Sequence, residues 1–155
     1  MNPLTTVDLS KVYKQGDTYI HAVRDVTLTV GKGQFAVFSG ASGSGKSTLL
    51  NLCAGMISPS TGKIMIDGED IAGFDFDKLS EVHRRKTGIV FQDFDLLPQL
   101  TVRENIMLPS MLDGREPDKE YFESLTGCLG LTDRLEHFPA ELSGGQKSRY
   151  LYTCF

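Results

Sequence analysis

Residues Gly40-Ala-Ser-Gly-Ser-Gly-Lys-Ser-Thr48 have the types and spacing to hold a polyphosphate, since they fit the pattern Gly-x-x-x-x-Gly-Lys-[Ser/Thr]. Glycines at 40, 43 and 45 let the backbone turn tightly, so that successive N–H groups can face inward and cradle a β-phosphate at the positive end of a following helix. The candidate cradle is Gly40, Ser42, Gly43, Ser44, Gly45, Lys46, Ser47 and Thr48. Lys46 is placed to reach the β- and γ-phosphates. Ser47 offers a hydroxyl to Mg²⁺, a hard cation that prefers oxygen ligands. A nucleoside triphosphate with Mg²⁺ is the ligand this chemistry predicts.

Such a loop needs a strand before it and a helix after it. Gln34-Phe-Ala-Val-Phe-Ser39 reads as a buried parallel strand, and Ser47-Thr-Leu-Leu-Asn-Leu-Cys-Ala54 as a helix with one apolar face. Upstream, Thr5–Ser10 and Arg24–Val30 alternate apolar and polar residues with many β-branched side chains, which predicts half-buried antiparallel strands. Gly31-Lys-Gly33 reads as a turn. Ser58-Pro-Ser-Thr-Gly62 breaks the chain before a further strand at Lys63–Asp67, and Gly68 turns out of it. Residues 75–86 read as helical or irregular, and Thr87-Gly-Ile-Val-Phe91 as a second buried strand ending at Gln92. Thr101-Val-Arg-Glu104 is a capping box that opens a helix, with Pro109 and Asp113-Gly114 closing its neighbourhood. Pro117-Asp-Lys-Glu120 starts another, whose Tyr121, Phe122, Leu125, Leu129 and Leu131 are expected in the core.

The 155 residues suffice for one domain with a real core, and the net charge of −4 without a long basic run argues against nucleic acid as a partner. His83-Arg-Arg-Lys86 is the compact basic patch, expected as a solvated turn before a strand. Cys53, Cys128 and Cys154 are odd in number and widely spaced, which predicts neither a disulfide framework nor a zinc site and points to a reduced, cytosolic setting. The first residues do not read as a signal peptide. No apolar stretch approaches the roughly 20 residues of a membrane-spanning helix, so any membrane role is expected to be peripheral.

Further along, Leu142-Ser-Gly-Gly-Gln146 resembles the signature motif of ATP-binding-cassette (ABC) transporter nucleotide-binding domains, and its order after the phosphate loop and Gln92 is that family's order. The stretch from Phe91 to Ile106 further resembles the branch serving lipoprotein release and macrolide export. The resemblance implies an α/β fold: a P-loop NTPase-type core with a small antiparallel β layer over about 1–92, a helical subdomain over about 93–142 and the signature at 142–146, incomplete at the C-terminus. It implies an ATP-binding subunit that uses Mg-ATP to power a membrane permease from the inner face of the plasma membrane. Tyr13 sits where the family places an aromatic that stacks on adenine, with Tyr19 as the competing ring. Gln92 matches the glutamine that positions Mg²⁺ and the attacking water. Ser143, Gly144, Gly145 and Gln146 would face the γ-phosphate of a nucleotide held by another subunit, Ser143 being also a good helix cap. The resemblance thus implies a homo- or heterodimer of ATP-binding domains.

After Gln146 the chain reads Lys-Ser-Arg-Tyr-Leu-Tyr-Thr-Cys-Phe155, without the strand ending in Asp-Glu or the switch histidine of that family. His137 precedes the signature and Ile64-Met-Ile-Asp67 is followed by Gly68, so neither substitutes. The resemblance therefore implies an ATP hydrolase family but leaves hydrolysis by this chain an open expectation, with a regulatory binder or a gene remnant as alternatives. A missing strand beside the phosphate-loop strand would leave its edge exposed and favour association there.

Overall fold

The computed structural model describes residues 2–90, 96–116 and 118–151. The chain divides into two compact units, Met1–Lys86 and Thr87–Phe155.

The first unit is built on a sheet of order β2-β1-β3-β4, with β1 at Leu4–Gln15, β2 at Thr18–Val30, β3 at Thr61–Ile66 and β4 at Glu69–Asp70. Every pairing in it is antiparallel, as alternation and β-branching predict, and the first two strands run longer than their most regular stretches. Gly16 (φ 61°) takes the first position of the two-residue turn between Gln15 and Thr18, the left-handed conformation that matches strand twist. The β1–β2 register slips between Thr6 and Leu9 and again around Lys11. Asp8 (φ 47°) and Asp25 (φ 48°) sit in the left-handed region near these bulges, and side-chain bonds fix both. The Asp8 amide donates to Thr27 Oγ1 at 2.9 Å, and the Asp25 amide and carboxylate share Ser10 Oγ at 2.9 and 3.0 Å.

On the buried face, Leu9, Val23, Ile64 and Ile66 meet Leu52 of α1 (Lys46–Cys53), Val82 of α2 (Phe76–Arg85) and Ile71. Each such side chain contributes about 1.5–3 kcal/mol by leaving water, so α1 and α2 stay attached mainly through this cluster. The Asp75 carboxylate caps α2 by accepting from the Lys78 amide at 3.0 Å. His83, Arg84 and Arg85 form its last turn, where positive charge suits the helix dipole, and not a turn before a strand.

Two predicted buried strands are corrected. Residues 34–39 form no strand and belong to no sheet, and Phe35 and Val37 are 93% and 71% exposed. Residues 87–90 are likewise outside any strand, and Val90 is 46% exposed. Apolar content marks a segment that can be buried between two layers, but a strand is made by ladder bonds to a neighbour. The described sheet stops at β2 without reaching residues 34–39.

The second unit is helical: α3 at Val102–Leu112, α4 at Lys119–Cys128 and α5 at Gly144–Leu151, joined by short 3₁₀ turns at Thr132–Arg134 and Pro139–Glu141. Val102, Ile106, Leu131, Leu135 and Leu142 form its core, with Leu96, Phe122 and Leu129 packed around them. The predicted capping box is present, Thr101 Oγ1 accepting from the Glu104 amide at 3.2 Å and the Glu104 carboxylate from the Thr101 amide at 2.7 Å. The Thr101 amide, and after it the Thr101 hydroxyl donating to the same carboxylate at 3.0 Å, hold the Glu104 carboxyl below its ordinary range. Pro109 lies inside α3, not beyond it. Asp118 caps α4, accepting from the Tyr121 amide at 3.1 Å. Tyr121 is 59% exposed, contrary to its expected place in the core. Thr126 is buried instead, its hydroxyl donating to the Phe122 carbonyl at 2.7 Å.

Candidate functional site

The loop at 40–48 ends in α1, and the sheet decides where that helix begins. Gly45 is the N-cap at φ 87°, and a Cβ there would run into the carbonyl oxygen of Ala22 on β2. Only glycine brings the loop backbone this close to the strand. At Gly40 a Cβ would stand 2.9 Å from Ser44 Oγ, a milder approach because a serine side chain can turn away where a strand carbonyl cannot. The far end of α1 is held as well: His83 Nε2 lies 2.8 Å from the Ala54 carbonyl oxygen, and Leu52 is fully buried beneath it.

Within this frame the Lys46 ammonium folds back over the loop, donating to the carbonyls of Gly40 at 2.9 Å and Ala41 at 2.7 Å and reaching Ser44 Oγ at 3.4 Å. The Ser44 amide turns back to the Ala41 carbonyl at 3.2 Å. The first bond of the helical ladder runs from the Leu49 amide to the Gly45 carbonyl at 2.8 Å, so the amides of 46–48 precede the ladder. No side chain caps this end and its first turn holds no acidic residue. A positive helix terminus and an ammonium on a glycine-framed loop make an arrangement that attracts and grips an anion. Ser42, Gly43, Ser44 and Ser47 are exposed, Thr48 half-buried. A groove of about 400 Å³ beside the loop is lined by Ala22, Val37, Ser39, Gly45, Lys46 and Leu49 among others. Cys53, at the end of α1, is buried, and burial pushes its thiol up to about 11, which leaves it unreactive.

Tyr13 and Tyr19 both lie near the tip of the β1–β2 hairpin, opposite Ile20 and Lys14, and are 42% and 62% exposed. The structure therefore brings the loop residues together in one frame and leaves both rings accessible. Gln92 lies outside the described residues.

In the second unit the residues 142–146 enter α5. The Ser143 hydroxyl accepts from the Gln146 amide at 3.3 Å, while the Gln146 side-chain oxygen accepts from the Ser143 amide at 2.8 Å. This reciprocal pair is a capping box, and Gln146 is half of it; the spacing Ser-x-x-Gln carried that signal. Sequence reasoning also missed His83 as the brace of α1 and Asn105, whose buried amide closes the turn before α3 through bonds to Leu97, Leu100 and Thr101. Among the described residues, no group of three or more His, Cys, Asp or Glu side chains is placed to hold a metal ion. No helix among them is long and apolar enough to cross a membrane.

Residues 23–152 match the family model described as ABC transporter. An uncharacterized ABC transporter ATP-binding protein of Thermotoga maritima is 41% identical over 92% of this chain and 62% of its own length. The ABC transporter ATP-binding protein YtrE of Bacillus subtilis is 41% identical over 88% and 60%, and the macrolide export ATP-binding/permease protein MacB of Brucella abortus 38% over 92% and 22%. The chain thus spans about three fifths of two of these relatives and about a fifth of the third. Among solved structures, the dimeric bacterial ABC transporter cassette MJ0796 superposes with a TM-score of 0.85 at 34% identity, over 97% of this chain and 68% of that one. A second structure of MJ0796, a dimeric post-hydrolysis state bound to ADP and Pi, matches equally well.

Proposed function

This chain belongs to the ABC transporter family, with the α/β P-loop NTPase-type fold of its cassettes, and we propose that it binds Mg-ATP to power a membrane permease. The observation that carries this reading is the Lys46 ammonium held over a glycine-framed loop ahead of the uncapped start of α1. A triphosphate laid in that loop exchanges neutral carbonyl acceptors for charged phosphate oxygens, and charge-assisted bonds are about twice as strong. Backbone amides of Gly40, Ser42, Gly43 and Gly45 and of residues 46–48 would then surround the β-phosphate, joined by the Ser44 amide once it leaves the Ala41 carbonyl. Mg²⁺ fits the residues present: the exposed Ser47 hydroxyl, next to Lys46, is the hard oxygen donor it accepts, and the phosphates supply others. When bound, the ion neutralises phosphate charge. Gln92 would position Mg²⁺ and water, and Tyr13 would stack on the adenine.

The cassette reading extends to partners. MJ0796 is dimeric in both solved structures, and the exposed Ser143, Gly144 and Gly145, with Gln146, open a helix as the loop at 40–48 does. We take these residues to meet the nucleotide of a second ATP-binding domain, identical or different, with the pair docked on a permease at the inner face of the plasma membrane. On this reading the two units are lobes of one cassette domain: a β layer and core over about 1–92, and a helical subdomain with the signature beyond it.

The test is a calorimetric titration with Mg-ATP. Lys46→Ala should weaken binding by about 1.5–3 kcal/mol, the contribution of a hydrogen bond to a charged group. Arg85→Ala, which removes an exposed ion pair with Glu81, should change it by less than about 1 kcal/mol. Equal losses would refute the phosphate-loop assignment.

A further inference from the structure

Lys11 makes two contacts that the phosphate loop does not require. Its ammonium donates to the carbonyl of Ser58 at 2.6 Å, and the same ammonium stands over the ring of Tyr13, 5.3 Å from the centroid. The register of β1 slips at Lys11, and it is the ring contact itself that places the Lys11 and Tyr13 side chains together. Ser58 lies on the connector that leaves α1 and returns to β3. That connector is fastened to the same stretch of β1 through Ser60 as well, its amide donating to the Ser10 carbonyl at 2.8 Å and its Oγ accepting from the Val12 amide at 2.9 Å.

We propose that Lys11 is a positioning residue for nucleobase binding: its tethered ammonium occupies one face of the Tyr13 ring, so that the base stacks on the other. A ring on a hairpin rim samples several rotamers, and a base binds only the one that presents a free face. The apparent affinity falls in proportion to the fraction of chains holding that rotamer. A cation held by a backbone carbonyl attracts the ring's electron-rich face and raises that fraction. The bond to Ser58 also joins the base end of the site to the segment that follows the phosphate helix. This inference rests on Tyr13 as the base platform, and the experiment separates the two.

The experiment titrates the chain with Mg-ATP and, separately, with magnesium tripolyphosphate, which has the phosphates and no base. The variants are Lys11→Met, Lys11→Arg, Tyr13→Ala and the double variant Lys11→Met/Tyr13→Ala. Lys11→Met should raise the Kd for ATP about two- to fivefold, the size of a partly exposed cation–π contact, and leave that for tripolyphosphate unchanged. Lys11→Arg, which also stacks on a ring, should restore ATP binding. On the Tyr13→Ala background the methionine should add nothing. Parallel losses for ATP and tripolyphosphate would overturn the proposal, because a phosphate contact or general destabilisation acts on both. So would an unchanged Lys11→Met beside a weakened Tyr13→Ala. If Tyr13→Ala itself binds ATP normally, the base platform is misassigned and the role of Lys11 falls with it.

Discussion

Gly43 and Gly45 differ in a way that isolates how the phosphate loop is held. Both have positive φ, 78° and 87°, but a Cβ at Gly43 meets nothing within 4 Å, whereas one at Gly45 strikes the Ala22 carbonyl oxygen. Alanine in the left-handed region costs about 1–2 kcal/mol, and the stiffer unfolded chain returns about 0.4–1 kcal/mol. Gly43→Ala should therefore destabilise by about 1 kcal/mol. Gly45→Ala carries the same backbone cost and must also push the loop off β2, and overpacking of this kind adds about 1–3 kcal/mol. The sum is about 2–4 kcal/mol. For a chain of 155 residues, at about 2–4 °C per kcal/mol, thermal melting followed by circular dichroism should fall by roughly 2–4 °C for Gly43→Ala and by roughly 4–16 °C for Gly45→Ala. The melts should be run without nucleotide, so that any loss of binding does not enter the comparison. Equal shifts for the two variants would show that the loop does not pack against β2 at Ala22, and the positioning argument would fail with it.

Tyr13→Ala should weaken ATP and GTP alike by about 1–3 kcal/mol, because stacking reads a π-face and not a hydrogen-bond pattern, whereas Tyr19→Ala should leave both unchanged. A calorimetric titration in which Tyr19 is the sensitive ring would move the base platform. Cys53 should resist iodoacetamide at neutral pH in the native chain while the exposed Cys128 is modified, as mapped by mass spectrometry of the digested protein; early labelling of Cys53 would contradict its burial. The same thiol gives a pH signature: its pKa is raised in the folded chain, so its contribution to stability is whole below the ordinary thiol pKa of about 8.5 and is lost as pH rises toward about 11. Urea melts of Cys53→Ala should therefore show a shallower loss across that window than the parent, and identical slopes would argue against it.

Local chemistry was legible wherever the partners lie close in sequence. The loop at 40–48, the antiparallel strands and the Thr101–Glu104 box each declare themselves through a few adjacent side chains, and the structure forms all of them. What failed depends on neighbours that no short window contains. Residues 34–39 carry the apolar run of a central strand, yet ladder bonds require an adjoining strand, and β2 closes the described sheet without them. Tyr121 failed for a related reason: apolar surface predicts burial only on average, while Thr126, about which the sequence says nothing, is buried at little cost because its hydroxyl is bonded within its own helix. His83 read as one member of a basic cluster. Its bond to Ala54, 29 residues away, could be found only after folding.

These long-range contacts explain why an antiparallel sheet that supplies none of the loop's own residues still governs it. An eight-residue helix such as α1 is too short to be stable alone, and an uncapped N-terminus weakens it further. Uncapped amides are also what an anion needs, so the features that would suit the loop to a phosphate deprive α1 of local stability. The compensation comes from three places: Leu52 in the core, Gly45 against Ala22 at one end, and His83 on the Ala54 carbonyl at the other. Because these anchors lie outside the loop at 40–44, the loop itself is left free to serve the ligand. If the loop binds nucleotide as proposed, substitutions at Leu52 or His83 should weaken that binding through the placement of α1, without touching a phosphate.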